Sequence, residues 1–277
     1  MANPQIKRKV NLLGEAGVGK TSLTLRFVKN VFGDKYLKTI GTNVYTKQIP
    51  VANVDVKLII FDIMGDTGFD SVRDRAFENS SGGIAVADFT RKETLDKLID
   101  DWLPKYRELA VADAPIILAI NKVDLDKQEL SRKEIIDNTS HYVDAIYFTS
   151  AKTGENVEEI YKELGFRTIL IQELGIRTVY HHPSPEKGVK NIDTINDPKK
   201  LLSILLTFAS ELGNMTYSTR EKIFEERGIN KFSLDEGISE QQVLSFGDGL
   251  IQWYEENNDQ KSVLTIKRIL KKYSTND

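Results

Sequence analysis

The 277-residue chain contains no cysteine. It therefore has no disulfides, thiolate metal sites or cysteine nucleophile, and no thiol to carry a prenyl or palmitoyl group. Long apolar runs are missing as well: no stretch reaches the ~18 apolar residues of a membrane-spanning helix, and the first residues show no apolar signal-peptide core. Ala2 occupies the position at which N-myristoylation requires glycine. We therefore expect a cytoplasmic protein with no lipid anchor.

An excess of charge of either sign is also missing. Lysine and arginine number 38 and aspartate and glutamate 41, which gives a formal net charge of −3. Proteins that bind nucleic acid through bulk positive charge have the opposite balance, so we expect no nucleic-acid partner. With 7 prolines, 18 glycines and 40% hydrophobic residues, the composition is typical of a globular protein.

From residue 7 to about residue 172, short β-branched apolar runs alternate with longer amphipathic stretches. This alternation predicts an α/β domain with a six-stranded, mostly parallel sheet and five helices. The strands are predicted near Val10–Leu13, Val44–Ile49, Val56–Phe61, Gly83–Ala87, Ile116–Ile120 and Ala145–Thr149. The helices are predicted near Thr21–Asn30, Ser71–Glu78, Thr94–Leu109, Arg132–Asp137 and Asn156–Leu170. The second and third strands should form an antiparallel hairpin, since too few residues separate them for a helix.

The chain changes character after Tyr180, because residues 183–188 contain two prolines and a glycine. Such a composition is typical of a linker, and everything beyond it has helical patterning. We predict a first domain over residues 1–178, a linker over 179–196 and a small all-α domain of unknown role over 197–277.

The predicted helical domain contains four short helices with apolar stripes. Asp197, Ser218 and Ser239 are the predicted N-caps of its first three helices, and the fourth ends in basic residues. Arg220 is expected in surface salt bridges, and Trp253 in the core.

The strongest chemical signal is the pattern GxxxxGK[ST], which lies between a predicted strand and a predicted helix. Its glycines allow backbone N–H groups to turn toward a polyphosphate, its lysine reaches the terminal phosphates, and its threonine hydroxyl coordinates Mg²⁺. The residues of this phosphate loop are Gly14, Glu15, Ala16, Gly17, Val18, Gly19, Lys20 and Thr21, and Ser22 follows as a further candidate.

Two polar loops follow the next predicted strands at the carboxyl edge of the sheet, where such sheets bind ligands. The first contains Asn121, Lys122 and Asp124, and the second contains Ser150, Ala151 and Lys152. The Asp124 carboxylate can accept hydrogen bonds from guanine N1–H and its exocyclic amine, whereas adenine presents no such pair of donors. The loops therefore favour GTP and GDP over adenine nucleotides.

With these motifs the chain resembles the Ras superfamily of small GTPases, and its Rab-like branch, over residues 7 to about 172. Thr39 lies 23 residues before Asp62, Asp62 lies 59 before Asn121, and Asn121 lies 29 before Ser150, which are the distances of that family. The resemblance implies the fold of a P-loop NTPase, here a Ras-like G domain, with GTP or GDP and Mg²⁺ as ligands.

The resemblance also assigns roles residue by residue. Thr39 would contact Mg²⁺ and the γ-phosphate, Asp62 would contact Mg²⁺ through water, and the N–H of Gly65 would bind the γ-phosphate. Phe32 matches an aromatic residue that packs on the guanine edge, although ordinary packing at a helix end explains it equally well. Effectors, exchange factors and GTPase-activating proteins would read the two switch loops around Thr39 and Gly65. Membrane contact would arise through a partner, or weakly through the basic last helix.

The sequence departs from the family at Asp66, where a glutamine usually orients the attacking water. Aspartate is shorter, has no donor and brings negative charge toward an anionic γ-phosphate. The candidate catalytic residues are Lys20, Thr39, Gly65 and Asp66. We predict hydrolysis at or below the intrinsic family rate, which is of order 10⁻⁴ s⁻¹.

Two other functions are alternatives to a slow GTPase switch. One is a scaffold that holds GTP without hydrolysing it and acts through the helical domain. The other is a phosphoryl transferase, because kinases share the phosphate loop. The guanine-reading loops and the lack of a recognisable lid segment disfavour the transferase.

Overall fold

The computed structural model describes residues 4–33, 41–51, 54–65, 70–129, 131–175, 197–211, 215–227 and 238–274. The chain divides into two compact units, Met1–Thr168 and Ile169–Asp277. The predicted linker over 179–196 lies outside the described residues, so the predicted domain limits stay predictions. No helix among the described residues is long and apolar enough to cross a membrane.

The first unit contains the predicted six-stranded sheet. Its strands are β1 Gln5–Leu13, β2 Thr42–Val51, β3 Val54–Ile63, β4 Gly82–Asp88, β5 Ile116–Asn121 and β6 Ala145–Thr149. The strand order is β2-β3-β1-β4-β5-β6, in which β2 and β3 form the predicted antiparallel hairpin and all other neighbours are parallel. β4 and β5 are buried along their whole length. Such continuous apolar runs are typical of parallel strands that are covered on both faces.

Among the residues that the structure describes, five helical segments accompany the sheet, in agreement with the prediction. They are α1 Lys20–Lys29, α2 Asp70–Phe77, a segment from Lys92 to Leu109, α5 Arg132–Thr139 and α6 Val157–Gln172. The parallel register brings the carboxyl ends of β1, β3, β4, β5 and β6 to one edge of the sheet. The phosphate loop, Gly65 and the two guanine loops lie at the ends of β1, β3, β5 and β6, whereas Phe32 and Thr39 come between α1 and β2 in the sequence.

The segment from Lys92 to Leu109, here called the 92–109 helix, is not a uniform α-helix. It consists of α3 Lys92–Lys97, a π-helical turn over Leu98–Trp102 and α4 Leu103–Leu109. Pro104 lies in the first turn of α4. Proline has no N–H to donate and its ring clashes with the carbonyl four residues earlier, and the wider turn directly before it relieves both problems.

The second unit contains the four predicted helices: α7 Pro198–Glu211, α8 Tyr217–Glu226, α9 Glu240–Glu256 and α10 Gln260–Ser274. The Asp197 carboxylate accepts a hydrogen bond from the Lys199 N–H at 3.1 Å. Ser239 and Gln242 form a complete capping box, so these two predicted caps are confirmed.

Three details of the helical unit were predicted wrongly. Thr216 caps α8 instead of Ser218, because starting the helix at Tyr217 places that buried side chain on the same face as Ile223 and Phe224. Arg220 is fully buried on this face and is not a surface residue. Trp253 is only half-buried, whereas its neighbour Tyr254 lies in the core.

Candidate functional site

The phosphate loop connects the end of β1 to the start of α1, as its sequence context predicted. Gly14 and Gly19 both have positive φ angles, 128° and 102°. A Cβ atom on Gly14 would lie 2.3 Å from the Val86 carbonyl oxygen, and one on Gly19 would lie 2.2 Å from the Asn121 amide nitrogen. Only glycine satisfies both the conformation and the space at these two positions.

Lys20 begins α1, and its side chain is held over the phosphate loop. Its ammonium group donates to the Gly14 carbonyl oxygen at 2.6 Å and to the Glu15 carbonyl oxygen at 2.9 Å. The residue is almost fully buried. A positive charge is therefore fixed beside the main-chain amides of the loop, which is the arrangement that binds polyphosphates.

Two of the predicted magnesium ligands contact each other. The Thr21 hydroxyl donates to the Asp62 carboxylate at 2.6 Å. The other carboxylate oxygen of Asp62 is buried and accepts no hydrogen bond among the described residues. Burial raises the pKa of Asp62, and the Thr21 hydrogen bond and the Lys20 charge act in the opposite direction. A buried hydroxyl–carboxylate pair with an unused oxygen suits a small divalent cation with a preference for oxygen ligands.

Gly65 follows β3 and lies against the phosphate loop. A Cβ atom on Gly65 would come within 2.5 Å of the Ala16 nitrogen and 2.6 Å of the Lys20 ammonium nitrogen. The backbone of Gly65 therefore faces the loop closely, beside the predicted position of the terminal phosphate. Thr39 and Asp66 lie outside the described residues, so their roles stay predictions.

The predicted guanine loops come together around the buried Asn121 side chain. Its amide nitrogen donates to the Val18 carbonyl oxygen at 2.9 Å, and its amide oxygen accepts from the Ala151 N–H at 3.2 Å. Asn121 thus joins the phosphate loop to both guanine loops. The hydroxyl of the buried Ser150 donates to the carboxylate of the exposed Asp124 at 2.6 Å.

The remaining predicted site residues occupy the same edge of the sheet or border it. Glu15, Ala16, Gly17 and Ser22 are half-buried in or next to the phosphate loop, and Lys152 is exposed in the second guanine loop. Phe32 is half-buried beyond the end of α1. Both predicted roles of Phe32, packing on the guanine edge and ordinary packing at the helix end, stay open.

Asp88 is a site residue that sequence reasoning missed. It ends β4 and is almost completely buried. It accepts from the Lys122 ammonium at 2.6 Å and from the Arg91 guanidinium at 3.0 Å, and Arg91 also donates to the Ala16 carbonyl oxygen at 3.2 Å. Asp88 therefore connects the first guanine loop to the phosphate loop. The sequence does carry one signal for Asp88, which is an acidic residue at the carboxyl end of an otherwise apolar strand.

The Asp88 carboxylate should contribute to stability in a pH-dependent way. Burial opposes its ionisation, but hydrogen bonds from Lys122, Thr90 and Arg91 outweigh burial and hold its pKa below the ordinary 3.8. A depressed folded-state pKa adds stability that is present above the unfolded-state pKa and is lost as the pH falls through the folded-state pKa.

We expect Asp88→Asn to lower the free energy of unfolding by about 2 kcal/mol at neutral pH, the value of a hydrogen bond to a charged group. The difference from wild type should shrink as the pH falls below 3.8. Urea unfolding at several pH values measures this. Asp137→Asn, which breaks an exposed pair with Lys133, is the matched control and should barely change stability. A loss for Asp88→Asn that is independent of pH would contradict the assignment.

A glycine-rich phosphate loop after the first strand of a parallel sheet, with a hydroxyl–carboxylate pair and two base-side loops, defines a nucleotide-binding P-loop domain. A model of the Ras family matches residues 9–170. Ras-related protein Rab-21 of Homo sapiens is 33% identical over 193 residues, which cover 67% of this chain and 84% of that protein. Ras-related protein Rab-13 of Canis lupus familiaris is 30% identical over 192 residues, 69% of this chain and 94% of that protein.

The chain therefore belongs to the Ras family of small GTPases and is Rab-like. GTP binding, GTPase activity and a switch function follow from that membership. The match to the family model ends at residue 170.

Proposed function

We propose that the chain binds GTP and GDP in the site formed by the phosphate loop and the two guanine loops. The observation that carries this proposal is the Asn121 side chain, which ties the three loops together through Val18 and Ala151. A nucleotide would then contact three loops that already hold each other in place. Binding would therefore cost little loss of conformational freedom in these loops.

Each residue has a distinct role in this proposal. Lys20 neutralises the terminal phosphates, the Gly65 N–H contacts the γ-phosphate, and Asp124 accepts the guanine donors. Thr21 and Asp62, with Thr39, would hold Mg²⁺, which supplies charge stabilisation at the β- and γ-phosphates. The contact between Thr21 and Asp62 and the unused Asp62 oxygen support the metal assignment.

We further propose that GTP hydrolysis is slow because Asp66 replaces the water-orienting glutamine. Asp66→Gln should accelerate single-turnover GTP hydrolysis above the wild-type rate, which is expected at or below about 10⁻⁴ s⁻¹. Asp137→Asn, an exposed change on α5, is the control and should leave the rate unchanged. No acceleration in Asp66→Gln would show that Asp66 is not the cause of slow turnover.

Partners would recognise the surface formed by the loops around Thr39 and Gly65. Two apolar side chains beside these loops are exposed, Val44 on β2 at 54% and Val72 on α2 at 38%. Exposed apolar side chains near a nucleotide-controlled loop suit a partner that distinguishes the GTP form from the GDP form.

The helical unit supports a second candidate, a GTP-bound scaffold that acts through α7–α10. This unit has its own core, in which Leu205, Phe246 and Ile266 are fully buried. The helices α7–α10 lie outside residues 9–170, which the Ras family model matches. A separate packed unit favours a role in addition to the switch. Single-turnover phosphate release separates the candidates, because a scaffold would show no release above the uncatalysed background.

A further inference from the structure

Two side chains of the 92–109 helix donate hydrogen bonds to Glu15 of the phosphate loop. The Trp102 indole N–H donates to one carboxylate oxygen of Glu15 at 3.0 Å, and the Lys97 ammonium donates to the other at 3.1 Å. Both oxygens of this loop side chain are therefore bound by one helix. Trp102 is 3% exposed and the Glu15 side chain is 21% exposed, so their hydrogen bond is partly shielded from water.

The position of Trp102 depends on the irregular part of this helix. Trp102 is the last residue of the π-helical turn, two residues before Pro104. Single π-helical turns inside α-helices are frequent at functional sites. Here Pro104 interrupts the regular hydrogen bonding of the helix. The π-helical turn before it places the indole N–H of Trp102 against the phosphate loop.

The same indole contacts α2 on another side. The Arg73 guanidinium lies 5.1 Å from the Trp102 ring centroid, a cation–π distance. A second contact joins the two helices, because the Lys105 ammonium lies 3.6 Å from the Asp74 carboxylate. Trp102 thus lies between the phosphate loop and the helix that begins five residues after Gly65.

We propose that Trp102 is a positioning residue. It couples the strength with which the phosphate loop binds the nucleotide to the position of α2. Its N–H fixes Glu15 and, through it, the loop that presents amides to the phosphates. Its ring holds Arg73, so a displacement of α2 alters the support of the loop. This inference rests on the proposed nucleotide site. It adds a residue of the 92–109 helix that contacts neither base nor phosphate.

The first test measures the dissociation rate of fluorescent GDP in the presence of Mg²⁺. Trp102→Phe keeps an aromatic ring but removes the N–H, and we expect GDP to leave about tenfold faster, since a hydrogen bond to a charged group is lost. Glu15→Ala removes the Trp102 contact together with the Lys97 contact. The double variant should therefore release GDP about as fast as Glu15→Ala alone, because Trp102→Phe has no further contact with Glu15 to remove.

Tyr106→Phe is the matched control on the same helix. Tyr106 comes four residues after Trp102, is fully buried and donates its hydrogen bond to the Ser80 hydroxyl at 2.8 Å instead of to Glu15. Its loss should lower thermal stability without raising the GDP dissociation rate. If Tyr106→Phe accelerated release as much as Trp102→Phe, general destabilisation would explain the effect and the proposal would fall.

The second test uses the fluorescence of the two tryptophans. Trp253→Phe leaves Trp102 as the one reporter, because the chain has 2 tryptophans. We expect its emission to change when GDP is exchanged for a non-hydrolysable GTP analogue, and this change to be lost when Arg73→Ala is added. Unchanged emission, or unchanged GDP release in Trp102→Phe, would overturn the coupling while nucleotide binding itself persisted. A wild-type protein without guanine-nucleotide binding would overturn both this inference and the proposed function.

Discussion

Asp124→Asn should weaken GTP and GDP binding by more than about hundredfold. The aspartate is expected to accept two hydrogen bonds from guanine, and each hydrogen bond to a charged group is worth about 1.5–3 kcal/mol. Asparagine replaces one acceptor oxygen with a donor, which then faces the donors of guanine. Xanthine carries a carbonyl group where guanine has its amine, so xanthosine nucleotides should bind the variant better than GTP does.

The fold should tolerate this change. Asparagine retains an oxygen that can accept the Ser150 hydroxyl, which contacts Asp124 at 2.6 Å in the wild type. Competition with fluorescent GDP measures the affinities, and Asp137→Asn on α5 serves as the control. Equal GTP affinity in Asp124→Asn and wild type would mean that Asp124 does not read the base.

Lys20→Met should abolish tight binding of both GTP and GDP. Methionine fills the volume of the buried lysine stem but carries no charge, so the terminal phosphates lose their cation. A loss of more than about hundredfold in affinity is expected, because the lysine charge and its charge-assisted hydrogen bonding to the phosphates disappear. Isothermal titration with each nucleotide measures it.

Lys29→Met, at the exposed end of the same helix, separates the local effect from a general effect of charge. It should leave both affinities unchanged. Thermal unfolding of the two variants without nucleotide checks that the fold is retained. Wild-type affinity in Lys20→Met would exclude the phosphate loop as the binding site.

The sheet could be predicted because its strands are short runs rich in β-branched and apolar residues, and the stretches between the parallel strands are long enough for a helix. β2 and β3 follow each other too closely for a helix, which predicts their hairpin. The phosphate loop and guanine loops could be predicted for a related reason: their residues are contiguous, and the ends of parallel strands bring them to one edge. The contact of Thr21 with Asp62 follows from the same strand register.

Contacts that involve side chains outside the recognised motifs could not be predicted. Lys122 and Asp88 are 34 residues apart, and Trp102 and Glu15 are 87 residues apart. Neither spacing carries a periodic signal, since these pairs form only once helix and sheet are packed. The N-cap of α8 could not be predicted from residue preferences either. Thr216 and Ser218 are both good N-caps, and the burial of Tyr217 selects Thr216.

The central claim is that one site binds a guanine nucleotide between Lys20 and Asp124. The most direct measurement is an equilibrium titration of the whole chain with fluorescent GDP and Mg²⁺, followed by competition with unlabelled nucleotides. We expect saturable binding that GTP and GDP reverse and that ATP reverses only at more than about a hundredfold higher concentration. The absence of saturation, or displacement by ATP at the same concentration as GTP, would contradict the account.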